Sequence, residues 1–427
     1  MLILVLAALF ASQFELGDGY NVAPRDTTTK RVIMGYLSYW GGLDVRKING
    51  DYFTHLVYAF ANIDIATGNV IPGTPDDINK ITAIVDDCAC CAKGNYNLLF
   101  QLRKEYPHLR ILLSIGGYSW SGLFAPVIGD SGKRTNFINS AIKLVVQYGF
   151  DGIDVDWEYP QNQNEGTLFV GLMRDLRAKL TAQPNGANYQ LTAAIPVAPS
   201  TLANYKLSQI QPYMTYLMVM TYDVSIGSGY ATHHAPLYHN PADPNADFSV
   251  DATVKFLLKN SILASQIVVG IPLYGHSYPV LTNDVKMNGL FRKVNCVSGS
   301  CDGWITYNQI LNDLKNPQNV RYFDAVSKAP YIYNQQTGTF VTYEDNVSVR
   351  YKIDYVEAMN LGGMMQWEIV QDPMDSNPTK SIVRVMATEL NNVDFYNYAP
   401  WCSQNSNFCN VKCLTKTMFS QRRQGIQ

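Results

Sequence analysis

Short apolar runs recur along this chain at spacings that leave room for a helix between them, and that alternation constrains the fold more than any other feature. The runs cover residues 32–38, 55–61, 110–115, 152–158, 190–196, 217–222, 266–272 and 362–367. Each is too short for a buried helix and reads as a strand. Helical candidates lie between many of them, at residues 76–88, 133–147, 166–182 and 249–259. Strands alternating with helices predict a parallel α/β fold, because parallel neighbours need a crossover. Eight such units predict a closed (β/α)8 TIM barrel. One interval breaks the rhythm. Residues 278–346 read as a helix near 307–314 and strands at 331–334 and 339–343. This predicts a small α+β insertion domain between strands 7 and 8.

The composition is that of a globular enzyme-sized chain: 427 residues, of which 47% are hydrophobic and 16% charged. Formal net charge is −2. Such a balance gives no electrostatic footprint for nucleic acid or an anionic membrane, so neither is expected as a partner. Residues 2–11 form an apolar run too short to span a bilayer. It resembles the core of a secretory leader, so residues 1–12 are expected to be a signal peptide and the protein to be secreted. Eight cysteines cluster as Cys88, Cys90 and Cys91, then Cys296 and Cys301, then Cys402, Cys409 and Cys413. In a secreted chain an even count favours disulfides. With no histidine at ligand spacing beside either larger cluster, no metal is expected. The barrel with its insertion is placed at 27–400, and residues 401–427 read as an irregular, cysteine-containing tail.

The chemistry concentrates in residues 150–160, Phe-Asp-Gly-Ile-Asp-Val-Asp-Trp-Glu-Tyr-Pro. On a strand, Asp154, Asp156 and Glu158 share one face, with neighbouring Cα atoms roughly 6–7 Å apart. Like charges that close raise one another's pKa, so the row favours a carboxylic acid that stays protonated near neutrality. Glu158, last in the row, falls nearest the strand's C-terminal end, where barrel enzymes keep their reacting groups. A calcium loop fits poorly, since the row contains no glycine turn. These features predict a hydrolytic acid–base site with Glu158 as general acid. A two-carboxylate retaining glycosidase needs its nucleophile across the sugar from the acid. Asp156 lies on the acid's own side. That points to substrate assistance, in which an N-acetyl group on the sugar attacks.

The same segment resembles the DGxDxDxE signature of glycoside hydrolase family 18 chitinases, and other segments agree in order. Leu113-Ser114-Ile115-Gly116-Gly117 is similar to the family's SxGG, and Met220-Thr221-Tyr222-Asp223 to its MxYD. Gly35 to Trp40, Tyr58-Ala59-Phe60, Gly270 to Gly275 and Gly362 to Trp367 resemble its first, second, seventh and eighth strands. Thr342 to Asp345 with Lys352 resembles the exit from its insertion domain. The resemblance spans about residues 31–395.

It implies a secreted chitinase that cleaves β-1,4 bonds between N-acetylglucosamine units, needs no cofactor, and takes chitin or its oligosaccharides as a monomer. Glu158 would protonate the glycosidic oxygen. Asp156 would hold the acetamido group for attack, Asp154 would tune Asp156, and Tyr222 would donate its hydroxyl to the acetyl oxygen. Trp367 would floor the sugar pocket and Asp223 would contact the distorted sugar. Met220, Tyr36, Phe60 and Tyr274 would line the pocket, beside Gly117, with Tyr118 or Trp120 stacking on the sugar. Ser114, Gly116 and Gly117 would serve close strand packing. His276 stands where the family often has arginine. Two alternatives remain: an endo-β-N-acetylglucosaminidase acting on N-glycans, and a non-catalytic chitin-binding lectin, whose kind typically lacks the acid that Glu158 supplies.

Overall fold

The computed structural model describes residues 31–83, 91–246, 248–280, 286–294, 303–374, 376–377 and 379–390. The leader at 1–12 and the tail at 401–427 lie outside them. So do all the cysteines except Cys91, which is described only as backbone.

Seven barrel strands come first: β1 (Val32–Ser38), β2 (His55–Ile63), β3 (Arg110–Gly116), β4 (Gly152–Asp156), β5 (Gln190–Ile195), β6 (Tyr216–Val219) and β7 (Ile267–Pro272). After β7 the chain builds an antiparallel sheet from β8 (Tyr274–Pro279), β9 (Gly303–Thr306), β10 (Val320–Asp324), β11 (Ala329–Asn334) and β12 (Thr339–Thr342). It then returns to the barrel as β13 (Gly363–Trp367). The barrel strands pair in parallel in the order β1-β13-β7-β6-β5-β4-β3-β2, and β2 pairs back onto β1. This is the closed (β/α)8 barrel with an α+β insertion. Its strands are buried along nearly their whole length. Barrel strands covered on both faces are mostly apolar, which is why most are legible as near-continuous runs, with β4 and its Asp154 and Asp156 the exception.

Helices cover the outside. They include α1 (Asn95–Glu105), α2 (Ser131–Tyr148), α3 (Gln163–Thr181), α4 (Val250–Lys259), α5 (Tyr307–Asp313), α6 (Asn346–Ala358) and α7 (Ile382–Leu390). Side-chain caps start several of them. Asp130 accepts from Lys133 N–H before α2, Asn162 from Asn164 and Glu165 N–H before α3, and Ser249 from Ala252 N–H before α4. Gly149 ends α2 with φ 72°, a conformation that costs glycine little.

Two expectations are corrected. The helix expected at 76–88 stops after one turn, Asp76–Asn79, and gives way to strand Ile81–Ala83 paired with Cys91–Lys93. The β-branched residues Ile81, Thr82, Ile84 and Val85 in this sequence favour strand. The covering helix is instead α1, whose Tyr96, Leu98, Leu99 and Leu102 are buried. The insertion sheet also begins earlier than residue 278. Strand β8 starts at Tyr274, one residue beyond Leu273, and pairs with both β9 and β12.

Candidate active site

The C-terminal ends of the barrel strands open into a cleft of about 810 Å³. Strand β4 delivers the acidic row to it. In the parallel register, Ser114 on β3 and Thr192 on β5 both lie beside Asp154, and Gly116 lies beside Asp156. Asp154 is fully buried and takes three hydroxyl hydrogen bonds: Ser114 Oγ at 2.7 Å and Tyr36 Oη at 2.9 Å to its Oδ2, and Thr192 Oγ1 at 2.8 Å to its Oδ1. Burial pushes its pKa up and these donors pull it back, with burial the larger effect.

Asp156 is equally buried but lacks such donors, and its Oδ1 has no hydrogen-bond partner. Burial first, then the charges of Glu158 and Asp154, raise its pKa well above the carboxylate range. Glu158 follows the strand and faces the cleft. Burial, reinforced by the nearby Asp223 charge, lifts its carboxyl to about 7, against opposing hydrogen bonds from the Tyr159 side chain and the Tyr118 N–H. Its own N–H donates to Ser121 Oγ (2.7 Å), which donates to Gly117 O (2.9 Å). The opposite face of the row is anchored by apolar contact. Trp157 stacks on Phe124 at 5.4 Å, and its carbonyl accepts from Tyr205 Oη at 2.8 Å.

Aromatic rings form the walls. Trp367, at the end of β13, stacks on Phe60 at 5.6 Å and meets Tyr36 edge-on at 5.4 Å. Peptide bonds Ala59–Phe60, Glu158–Tyr159 and Trp367–Glu368 are cis. Gly117 has φ 83°, and a Cβ there would come within 2.5 Å of the Phe60 ring. Tyr222 is buried beside Tyr274, and burial holds its phenol proton in place. Asp223 accepts from Tyr274 Oη (2.7 Å) and lies 2.8 Å from His276 Nε2. Burial would raise the Asp223 pKa, but the neighbouring imidazoles, His276 within hydrogen-bond range and His234 Nδ1 beyond it at 3.6 Å, hold it far below the usual range. An ionised Asp223 can only accept, so His276 carries a proton on Nε2.

Each residue singled out from sequence can now be located. Glu158, Asp156, Tyr222, Trp367, Asp223, Met220, Tyr36, Phe60, Tyr274, Gly117, Tyr118 and Trp120 all line the cleft. Asp154 lies beneath it. Tyr118 stands at the rim, 83% exposed, whereas Trp120 stacks on Tyr39 at 6.5 Å. Ser114, expected only to ease strand packing, also donates to Asp154. Thr192, Tyr39, Trp40, Tyr159 and His234 were not singled out. For Tyr39 and Trp40 a signal existed, since they follow the first barrel strand at its C-terminal end. For Thr192 and His234 none did, because only the strand register and the loop path bring them in.

Comparison with known proteins agrees with this geometry. Residues 32–372 match the profile of glycosyl hydrolases family 18. Endochitinase 1 of Metarhizium robertsii is 31% identical over 86% of this chain and 89% of its own length. Chitinase A1 of Niallia circulans is 28% identical over 87% of this chain and 60% of its own. Among solved structures, chitinase ChiA74 from Bacillus thuringiensis superposes with TM-score 0.78 at 27% identity, covering 85% of this chain and 70% of the other. A closed barrel, an acidic row at the C-terminal end of its fourth strand, and a family match over most of the chain lead to one conclusion: the protein is a glycoside hydrolase belonging to family 18.

Proposed function

We propose that the protein is a secreted chitinase that hydrolyses β-1,4 linkages between N-acetylglucosamine units with retention, the substrate's own acetamido group acting as nucleophile. The observation that carries this reading is the pairing of Glu158 with Asp156. A carboxyl held near 7 can be protonated at neutral pH, and beside it a buried carboxyl keeps one oxygen free of protein partners. That free oxygen is available to an N–H of the substrate. A second carboxylate poised across the sugar is not needed in this scheme.

Glu158 gives its proton to the glycosidic oxygen as the C1–O bond breaks. The acetamido oxygen forms the new bond to C1, and Asp156 accepts from the acetamido N–H, stabilising the charge that develops there. Tyr222 donates its phenol hydrogen to the acetyl oxygen. Water then attacks C1, gives its proton to Glu158, and the acetamido group is restored. Asp154, held by three hydroxyls, tunes Asp156 through its charge. Trp367 provides the apolar floor and Asp223 a hydrogen-bonding wall for the bound sugar. The curated relatives are named chitinases, and the open aromatic-lined cleft, to which the insertion contributes Tyr274, suits a linear polymer better than a branched glycan. A lectin would have no use for a raised acid beside a free carboxylate oxygen.

The test is anomer-resolved NMR of chitotetraose hydrolysis. The first-formed reducing ends should be β, and Glu158→Gln should lose at least ~1000-fold in kcat. Initial α product, or a Glu158→Gln enzyme with most of its activity, overturns the mechanism.

A further inference from the structure

On the Asp223 side of the cleft, Asp223, His234 and His276 bring a carboxylate oxygen and two imidazole nitrogens within 4.8 Å of one another. Asp223 Oδ1 lies 2.8 Å from His276 Nε2 and 3.6 Å from His234 Nδ1. The two imidazoles meet edge to face, with centroids 5.0 Å apart. His234 is completely buried, yet neither ring nitrogen has a hydrogen-bond partner. A buried polar ring with both nitrogens unsatisfied calls for a partner the protein does not itself supply.

We propose that Asp223, His234 and His276 form a binding site for a divalent transition cation of the zinc class. Two imidazoles and one carboxylate are a donor set this class accepts, with water completing the coordination. Two ligands each about 2.1 Å from a shared ion stand roughly 3–3.5 Å apart. The two measured spacings bracket that range, so small side-chain shifts complete the set.

The scaffold around the trio is rigid. His276 lies on β8, held between β9 and β12, in register with Trp304 and Thr342. The His234 N–H donates to Thr342 Oγ1 at 3.0 Å. Lys352, which donates to the next carbonyl at Ala235 (2.6 Å), has its charge offset by Glu344 at 2.7 Å. Access is through the cleft, because Asp223 lines it. The cysteine clusters are the obvious place to look for a metal in the sequence. This trio hides from such a search because its members are 11 and 42 residues apart along the chain.

Occupancy has a consequence that rests on the proposed function. An ion that claims the Asp223 carboxylate takes it from the sugar, so the cation inhibits hydrolysis competitively.

The experiment is a cobalt titration of the chelator-treated full-length protein, read by the visible d–d absorption, with zinc equilibrium dialysis for stoichiometry. The wild type should take up one ion at this site with a nitrogen–oxygen d–d band. His234→Gln and His276→Gln should each weaken that binding at least ~10-fold, while His239→Gln leaves it unchanged. Thiolate charge-transfer absorption separates any cysteine-bound cobalt. Near-UV circular dichroism identifies a variant that has lost its fold, and the other histidine variant then decides. No nitrogen–oxygen band at millimolar cobalt, or binding that both well-folded histidine variants retain, overturns the site. Binding without inhibition supports the site and removes Asp223 from the sugar contact, so the two readings fail separately.

Discussion

Glu158 is held near neutrality by burial and by the Asp223 charge, and that has consequences for both rate and stability. The general acid proposed for Glu158 works only while protonated, so on that proposal kcat/KM should fall as pH rises through about 7, with Asp156 and Glu158 titrating as one system. A pH–rate profile checks this, and a flat profile to about pH 9 contradicts it. Stability runs the same way. A carboxyl whose folded pKa is raised costs nothing below its unfolded value. It destabilises the fold progressively as pH climbs from there towards the folded value. Glu158→Gln should therefore gain about 2–3 kcal/mol on the wild type between about pH 4.5 and pH 8, measured by denaturant unfolding. An unchanged difference would mean that Glu158 is not strained. At this scale the acidic row is legible because a period of two places its members together on any strand. Its supports are not. Thr192 is 38 residues from Asp154, and only the β4–β5 register makes it a hydrogen-bond donor to that carboxylate.

Elements are tied together at two places, one at the cleft and one outside its lining. Gly117, just beyond β3, adopts φ 83° against the Phe60 ring. Gly117→Ala adds both backbone strain and a collision. It should destabilise by about 1–3 kcal/mol and raise KM, because a displaced Phe60 disturbs the stacked Trp367. Equal KM with reduced stability would confine the effect to folding. The second place is α6. Lys352 and Glu344 are both wholly buried, 2.7 Å apart, and Lys352 also holds the Ala235 carbonyl. Lys352→Met leaves Glu344 buried without its partner and should cost about 3–5 kcal/mol, whereas Lys352→Met with Glu344→Met should cost less than either single change. Urea unfolding of the four proteins decides it, and strict additivity would show that the pair is not coupled. Element boundaries were read best at α4 and α5, which carry their own caps in Ser249 and Thr306, and worst at 76–88. There the β-branched residues outweighed the acidic start that suggested a helix.

At the scale of the whole molecule, the barrel is legible because eight buried parallel strands each need an apolar run, and those runs survive in the sequence as eight separate signals. The insertion is harder to delimit. Strand β8 follows β7 with only Leu273 between them, so no loop marks the point where the chain leaves the barrel. That direct continuation joins the two sheets at the cleft. Tyr274 opens β8 and faces Asp223, and Trp304 on β9 lies beside it with ring centroids 6.0 Å apart. Trp304 is 54% exposed, a large ring left in solvent next to a wall of the cleft. A sugar bound beyond the central pocket would cover it, and stacking of this kind contributes about 1 kcal/mol beyond simple burial. Trp304→Ala should therefore raise KM for long chitin oligomers about 5-fold while leaving kcat, and turnover of the shortest cleavable oligomer, within about 2-fold. Steady-state kinetics across an oligomer series makes the comparison. A loss that is the same at every length would place Trp304 in the support of Tyr274, and a loss in no substrate would leave the insertion as a wall without a subsite.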